Sequence, residues 1–280
     1  MRRPPEHSCD SPTTDSSRAV SDAIGFTLMF AIIIVGAGLI SFTGGTQLET
    51  FSNVEEVQSA ERGMESAAAT LQPMATRGDS RRSFSIAFSN SNVWINETVL
   101  NVTTDGDVAY PDLAVNALQQ RFDRSGDDVT VRYEAGGVFR TNAIPAFDPS
   151  FECRDGTTAL ITVVNLTLAD REGLYVSNGY NPDIGLDQFA AGGDSPVTST
   201  DEALTFEART VSTERSLVDS STTVFVNTSQ TAGPAQWDMF FDSKETWSNP
   251  SDHVYTCAAD RALVRVVTIE LDIVEPRFSS

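Results

Sequence analysis

Few residues in this chain could perform hydrolytic chemistry, because it has two histidines and three cysteines in 280 residues. His253 could act as a general base beside a serine and a carboxylate, as in a Ser-His-Asp triad. However, Ser251-Asp252-His253 are only consecutive neighbours in a polar stretch, and no Gly-x-Ser-x-Gly nucleophile elbow occurs. The sequence predicts a protein that is not an enzyme, with no catalytic residue and no cofactor. A surface hydrolase that uses His253 is the remote alternative.

Acidic loops are the second feature that could take part in chemistry, because carboxylates bind Ca²⁺. The two segments are Asp105-Gly-Asp107 and the run that contains Asp123, Asp127 and Asp128. Neither has the spacing of an EF-hand loop, and a strongly acidic chain has many such loops. We therefore predict no metal site. A phosphate-binding loop, a dinucleotide fingerprint and a Cys-x-x-Cys pair are also missing from the sequence.

Four Asn-x-Ser/Thr sequons, the acceptor pattern of N-glycosylation, begin at Asn96, Asn101, Asn165 and Asn227. The similar triplet at Asn249 is excluded because its middle residue is proline. We expect at least one sequon to carry a glycan. Asn96 and Asn101 are preferred, because turns are predicted close to them.

The residues from 23 to 42 form an uncharged apolar run in which only Thr27 and Ser41 have polar side chains. Twenty helical residues span about 30 Å, the thickness of the hydrocarbon core of a bilayer. The sequence therefore predicts a transmembrane anchor over residues 20–45, with the lipid bilayer as a partner. A cleaved secretory signal is the alternative, although the apolar run is longer than such signals usually have.

The charges that flank the apolar run predict its orientation. Arg2, Arg3 and Arg18 precede the run, and the first charge after it is Glu49. Under the positive-inside rule, the N-terminus lies in the cytoplasm and the chain after the anchor lies outside the cell. Because no second long apolar run follows, we predict a single-pass protein of the cell membrane.

The cysteines divide along the same predicted topology. Cys9 precedes the anchor, on the reducing side, whereas Cys153 and Cys257 follow it. An oxidising exterior favours one disulfide between the latter two. Such a bond closes a loop of about a hundred residues, which corresponds to roughly 4–5 kcal/mol in the chain-entropy model. Two free buried thiols are the alternative.

The charge balance excludes one class of partner. There are 19 Lys and Arg residues against 39 Asp and Glu residues, a net charge of −20, and Lys244 is the single lysine. Nucleic-acid binding through phosphates needs a basic patch, and no basic cluster exceeds Arg81-Arg82. An acidic surface poor in lysine indicates adaptation to high salt, and a soluble surface that repels its own copies is the simpler interpretation.

The junction before the apolar run, from Ser16 to Phe26, places Arg18-Ala19 directly ahead of Val20. It resembles the class III, prepilin-type leader of archaeal type IV pilins and archaellins. The resemblance implies that residues 1–19 are a leader cut between Ala19 and Val20, and it implies prepilin peptidase and other pilin-like subunits as partners. Haloarchaeal pilins usually have proline where this chain has Asp22.

Several later stretches are similar to a haloarchaeal family of pilin-like membrane proteins of unknown function. They are residues 21–40, Ala60-Glu61-Arg62, residues 78–82, residues 133–140 and residues 163–166. This resemblance implies an exported, anchored protein with a β-rich head. The family supplies no established catalytic residue.

The elements that would position these residues follow from periodicity. Apolar residues recur at steps of three and four from Leu48 to Ala75, which predicts a helix. We expect the transmembrane helix to continue into an amphipathic stalk helix over residues 46–77, with Gly44-Gly45 as a point where the chain could bend.

The pattern changes to a period of two after residue 78, as in Phe84–Phe88 and Val129–Glu134. Short strands separated by turn residues predict a mainly antiparallel, sandwich-like β domain over residues 78–280. One or two short helices are expected within it, including one from Ala235 to Trp247.

These features together predict an exported, pilin-like, single-pass membrane protein that acts as a minor pilin or as a subunit of a surface structure. The alternative is an uncleaved, membrane-anchored ectodomain that works alone and binds a ligand or partner.

Overall fold

The computed structural model describes residues 16–87, 91–105, 109–122, 128–154, 156–169, 174–177, 197–198 and 203–274. The chain divides into two units, residues 1–54 and residues 55–280, and we call the second unit the head. In chain order the elements are α1 (Ser16–Arg77), β1 (Arg81–Ala87), β2 (Asn92–Thr104), β3 (Ala109–Phe122), β4 (Val129–Glu134), β5 (Gly137–Arg140), β6 (Ser150–Arg154), β7 (Thr158–Leu168), β8 (Leu174–Ser177), β9 (Val197–Thr198), β10 (Ala203–Val218), β11 (Thr222–Asn227), α2 (Pro234–Asp242), β12 (Ser248–Ser251), β13 (Val254–Ala259) and β14 (Arg261–Ile273).

The strands of the head form two sheets. Sheet I has the strand order β1-β10-β14-β7-β6, and sheet II has the order β12-β13-β11-β2-β3-β4-β5, with β8 beside β2 and β9 beside β8. Neighbouring strands are antiparallel except for two parallel pairs, β7 with β14 and β8 with β9. Strand β6 therefore lies at one edge of sheet I, next to the parallel pair.

The first core of the head contains the C-terminal part of α1. The buried apolar residues of this part recur at steps of three and four, which places them on one side of the helix. They pack against buried residues of both sheets, such as Phe206 in sheet I and Tyr133 in sheet II. The helical members of this core are Val57, Ala60, Met64, Ala67, Ala68, Leu71, Met74 and Ala75.

The C-terminal end of α1 is closed by a glycine and an arginine. Gly78 has a φ of +82°, the left-handed conformation that commonly ends helices. Arg265 of β14 donates from Nη1 to the carbonyl oxygens of Ala75 at 3.1 Å and Thr76 at 3.3 Å. These carbonyls have no partner inside the helix, so Arg265 both satisfies them and fixes the helix end to sheet I.

A second core lies around α2. It contains alternate residues of the two sheets, such as Val226 in sheet II and Val264 in sheet I. Pro234 is in the first turn of α2, where its missing N–H removes no helical hydrogen bond. The helix contributes Trp237, Phe240 and Phe241, which lie on one face because they are three and four residues apart.

The predicted transmembrane helix with a stalk is wrong. No helix in the described part of the chain is long and apolar enough to cross a membrane. Helix α1 runs without a break through Gly44-Gly45, the point where the sequence allows a bend. The segment from Val57 to Ala75 is not a stalk, because its apolar side is buried in the core of the head.

Candidate functional site

The Cys153–Cys257 disulfide joins the two sheets of the head. Cys153 lies on β6 at the edge of sheet I, and Cys257 lies on β13 of sheet II. Their Cα atoms are 5.9 Å apart, and 104 positions separate the two residues in the sequence. The predicted disulfide is confirmed. The bond crosses the second core, because Cys257 is buried there and Cys153 packs against it.

An aromatic cluster fills the second core beside this disulfide. The Trp237 ring lies 4.7 Å from the Phe139 ring and 5.4 Å from the Phe151 ring, measured between centroids. Phe241 stacks on Tyr255 at 4.2 Å and meets the edge of Trp247 at 4.9 Å. Because these rings come from α2, β5, β6 and β13, the cluster determines where α2 lies on the sheets.

A cleft of about 440 Å³ opens where the edge strand β6 meets the end of α2. Its lining includes Gln72 of α1, Cys153, Arg154, Lys244 and Trp247. This volume is in the range of small-molecule sites, which combine apolar walls with a few polar groups.

The charged groups of the cleft are arranged as pairs. Nζ of Lys244 lies 2.6 Å from Oδ2 of Asp148 and 5.1 Å from the centre of the Phe240 ring. Nε of Arg154 donates to Oε2 of Glu152 at 2.9 Å. The single lysine of the chain therefore lies at this cleft, with an ion pair and an aromatic ring as neighbours.

Two buried charged residues of β4, Arg132 and Glu134, hold the loop before α2. Glu134 is 1% exposed and accepts from the Ala232 N–H at 2.8 Å and from Nε1 of Trp237 at 3.1 Å. Arg132 is 5% exposed and donates to the Ala232 carbonyl at 2.7 Å and to the side-chain oxygen of Gln236. Burial lowers the pKa of Arg132, and the charge of Glu134 acts in the opposite direction.

Gly233 lies directly against this pair. A Cβ added at Gly233 would overlap Nη2 of Arg132 and the side-chain oxygen of Gln236, so any larger residue would force these two side chains to move. The alternation along β4 places Arg132 and Glu134 on the same side of the strand, and α2 and its preceding loop cover that side. The sequence pattern therefore does not identify the residues that hold α2, because it does not show that the loop before α2 covers β4.

His253 has a carboxylate partner that its sequence neighbours do not reveal. Its Nδ1 lies 2.9 Å from Oδ2 of Asp238 on α2, and the Tyr255 hydroxyl donates to Oδ1 of the same carboxylate at 2.6 Å. Burial, followed by the bond to Asp238, raises the pKa of Tyr255. In the part of the chain that the structure describes, no serine side chain bonds to His253. Asp238 thus orients the imidazole and links the His253 turn to α2.

The four predicted glycosylation residues lie on three strands of the head. Asn96 and Asn101 are on β2, Asn165 is on β7, and Asn227 is the last residue of β11. The structure brings two of them together, because Asn101 and Asn227 are directly opposite in the pairing of β2 with β11. Whether any of the four carries a glycan stays a prediction.

The predicted acidic loops are only partly described. Oδ2 of Asp105 accepts from the N–H of Thr223 at 3.1 Å, and Asp128 pairs with Arg121. Asp107, Asp123 and Asp127 lie outside the described residues. Within the described ranges, no group of three histidine, cysteine or acidic side chains could hold a metal ion.

The predicted cleavage residues, Ala19 and Val20, both lie within α1, which begins at Ser16. The rest of the predicted leader, from residue 1 to 15, lies outside the described residues and includes Cys9.

Comparison with known proteins assigns the chain to a family. Residues 18–179 match the model of a family of unknown function, DUF7289. Because the match covers more than half of the chain, the protein belongs to that family. No curated protein and no solved structure matches the chain.

Proposed function

We propose that this protein is an exported, pilin-like subunit of a cell-surface structure, processed between Ala19 and Val20. One observation carries the proposal. The first unit of the chain contains a stretch of α1 whose large apolar side chains are 54–71% exposed in the isolated chain. Its members are Ile24, Phe26, Leu28, Met29, Phe30, Ile32, Ile33, Ile34 and Val35. We call this stretch, residues 24–35, the apolar segment.

The apolar segment needs neighbours on several sides. Its exposed residues occupy successive positions, so they surround the helix and do not form a single stripe. A helix that is apolar all round is stable where it is buried, since exposing that much apolar surface to water is unfavourable. Equivalent helices of other subunits would cover it, as the resemblance of the N-terminus to type IV pilins implies.

The disulfide supports the proposed site of action. Structural disulfides form and persist in oxidising surroundings and are rare where glutathione keeps thiols reduced. The Cys153–Cys257 bond therefore fits a head that works outside the cell. The net charge of −20 fits the same interpretation, because it keeps exposed heads soluble and would oppose their contact at low salt.

The test is the N-terminal sequence of the protein isolated from its own host. Processing by prepilin peptidase predicts that the mature chain starts at Val20, and that the precursor accumulates when the peptidase gene is deleted. A mature chain that retains residues 1–19 in the wild-type host would contradict the proposal.

A second candidate function is ligand binding by a head that works alone, and the cleft beside the disulfide favours it. The cleft combines aromatic walls with paired charges around Lys244 and Arg154. A thermal-shift screen with mono- and disaccharides, uronic acids and short peptides tests this candidate. A shift that disappears in Lys244→Ala and Trp247→Ala would support it, and the absence of any shift in the wild type would count against it.

A further inference from the structure

We infer that Asn227 is the principal acceptor of an N-linked glycan, added to the folded head by transfer from a lipid-linked glycosyl phosphate. The inference rests on the proposed export, since the donor and its transferase act on exported chains. It selects one residue among the four sequons, and this residue differs from Asn96 and Asn101, which are preferred on the sequence alone.

The Asn227 sequon lies in a turn at the end of a strand. Asn227 ends β11, and its Oδ1 accepts the N–H of Ser229 at 2.9 Å. This Asx turn brings the asparagine close to the hydroxyl residue of the same sequon. Ser229 and Gln230 after it are exposed. No described residue accepts a hydrogen bond from Nδ2 of Asn227, the atom that would carry the sugar.

The transfer reaction explains why these features matter. Nδ2 forms a bond to C1 of the sugar, and the bond from C1 to the phosphate oxygen breaks. The lipid-linked phosphate leaves with that electron pair, and one proton of Nδ2 passes to a base of the transferase. The enzyme must therefore reach both the amide nitrogen and the sequon hydroxyl, and at Asn227 the hydroxyl belongs to the exposed Ser229.

The Asn96 sequon does not meet this requirement. Its hydroxyl residue, Thr98, is 7% exposed and lies 2.8 Å from Oε1 of the buried Glu134. Asn96 itself is in the middle of β2, opposite Ala117 of β3, and its amide oxygen accepts from Gln119. A transferase would have to open sheet II to use this residue.

The Asn165 sequon lies on β7 of sheet I and is bonded to Asn116 of sheet II. Its Oδ1 accepts the N–H of Asn116 at 3.3 Å, and the side chain of Asn116 donates to the next carbonyl, that of Leu166, at 2.6 Å. Its hydroxyl residue, Thr167, is paired in register with Glu270 of β14. Both ends of this sequon therefore belong to paired strands.

Asn101 competes directly with Asn227. The two residues are opposite each other on antiparallel strands, a relationship that places Cβ atoms about 4.5–5.5 Å apart on the same face. A glycan on either asparagine therefore covers the other. Asn101 is the poorer acceptor, because it is inside β2 and its amide oxygen accepts from Asp112 of the neighbouring strand β3, whereas that of Asn227 accepts within its own sequon. We expect a single glycan at this pair, on Asn227.

The experiment is glycopeptide mass spectrometry of the full-length protein isolated from its own host, with three variants. Ser229→Ala removes the sequon but keeps the backbone hydrogen bond, so nearly all glycan at Asn227 should be lost. Ser229→Thr restores an acceptor sequon and should keep it. Asn101→Gln should leave the glycan at Asn227 in place. Thermal unfolding of each variant checks that the fold is retained.

The outcomes separate this inference from the proposed export. A glycan on Asn96, Asn101 or Asn165 with a bare Asn227 overturns the inference and still supports export. Four bare sequons in a chain with an intact Cys153–Cys257 bond also overturn it, while the disulfide continues to support export. Bare sequons together with free thiols would count against both.

Discussion

Glu134 and Arg132, two residues apart on β4, bind the two backbone polar groups of Ala232. The carboxylate accepts the N–H at 2.8 Å and the guanidinium donates to the carbonyl at 2.7 Å. Both side chains are buried, so each charge is compensated by the other and by these hydrogen bonds. The pair fixes the start of α2, and with it the positions of Trp237 and of the residues that line the cleft.

Glu134→Gln should destabilise the head strongly, because it removes the negative charge that acts on the buried Arg132 and weakens the hydrogen bonds of Glu134 to Ala232 and Trp237. We expect the free energy of unfolding, measured with urea, to fall by about 3 kcal/mol or more. The matched control is Glu152→Gln, which breaks the exposed pair with Arg154 and should cost less than about 1 kcal/mol. Equal losses in the two variants would show that the buried pair has no special role.

Gly233→Ala tests the close approach of the loop to Arg132. The new methyl group would displace the guanidinium from Gln236 and Ala232, so we expect a loss of about 1–3 kcal/mol, as for overpacked sites. Gly63→Ala is the control, because nothing lies within 4 Å of a Cβ added at this helical position. That change should stabilise the protein by up to about 1 kcal/mol. Unchanged stability of Gly233→Ala would contradict the described loop.

The sequence predicts some of this site and misses the rest for identifiable reasons. The helix predicted from Ala235 to Trp247 exists, because the helical period is local information, but it ends at Asp242. The pairing of Cys153 with Cys257 follows from the number of cysteines and from the predicted position of Cys9 on the other side of the membrane. The partner of His253 is Asp238, not the adjacent Asp252, because the turn folds against α2.

The prediction of a stalk in α1 is wrong for a similar reason. The period of apolar residues after Leu48 predicts a helix there, and the helix exists. A period does not say what the apolar side contacts, so a stalk and a core helix have the same pattern. The core contacts of Met64 and Leu71 with both sheets decide between the two.

Removal of the disulfide should weaken the link between the two sheets. The double variant Cys153→Ala/Cys257→Ala should lose about 2–4 kcal/mol of unfolding free energy relative to the oxidised wild type. Reduced wild-type protein should show a similar loss, which provides the control. If the oxidised and reduced wild type unfold at the same urea concentration, the bond does not stabilise the head.

Alkaline pH should destabilise the head through its buried tyrosines. Burial raises the pKa of Tyr133, and burial with the bond to Asp238 raises the pKa of Tyr255. In the unfolded chain both ionise near pH 10, so the folded state binds more protons above that pH. Stability is therefore fully present below about pH 10 and falls as the pH rises further.

The measurement for this prediction is urea unfolding from pH 8 to pH 12, with tyrosinate absorbance as the probe. Tyr255→Phe should reduce the slope of stability against pH above about pH 10, because one of the tyrosines with a raised pKa is gone. A wild-type slope of zero in that range, or an identical slope in Tyr255→Phe, would contradict the role assigned to these residues.

Crosslinking within the apolar segment tests the proposed assembly most directly. Phe30→Cys, made in the full chain with Cys9→Ser and expressed in the native host, places a thiol at an exposed position of the segment. Thr213→Cys, at an exposed position of the head, is the matched control. If subunits assemble through this segment, mild oxidation should give disulfide-linked dimers with Phe30→Cys and few with the control. Equal, low crosslinking of both variants would contradict the account.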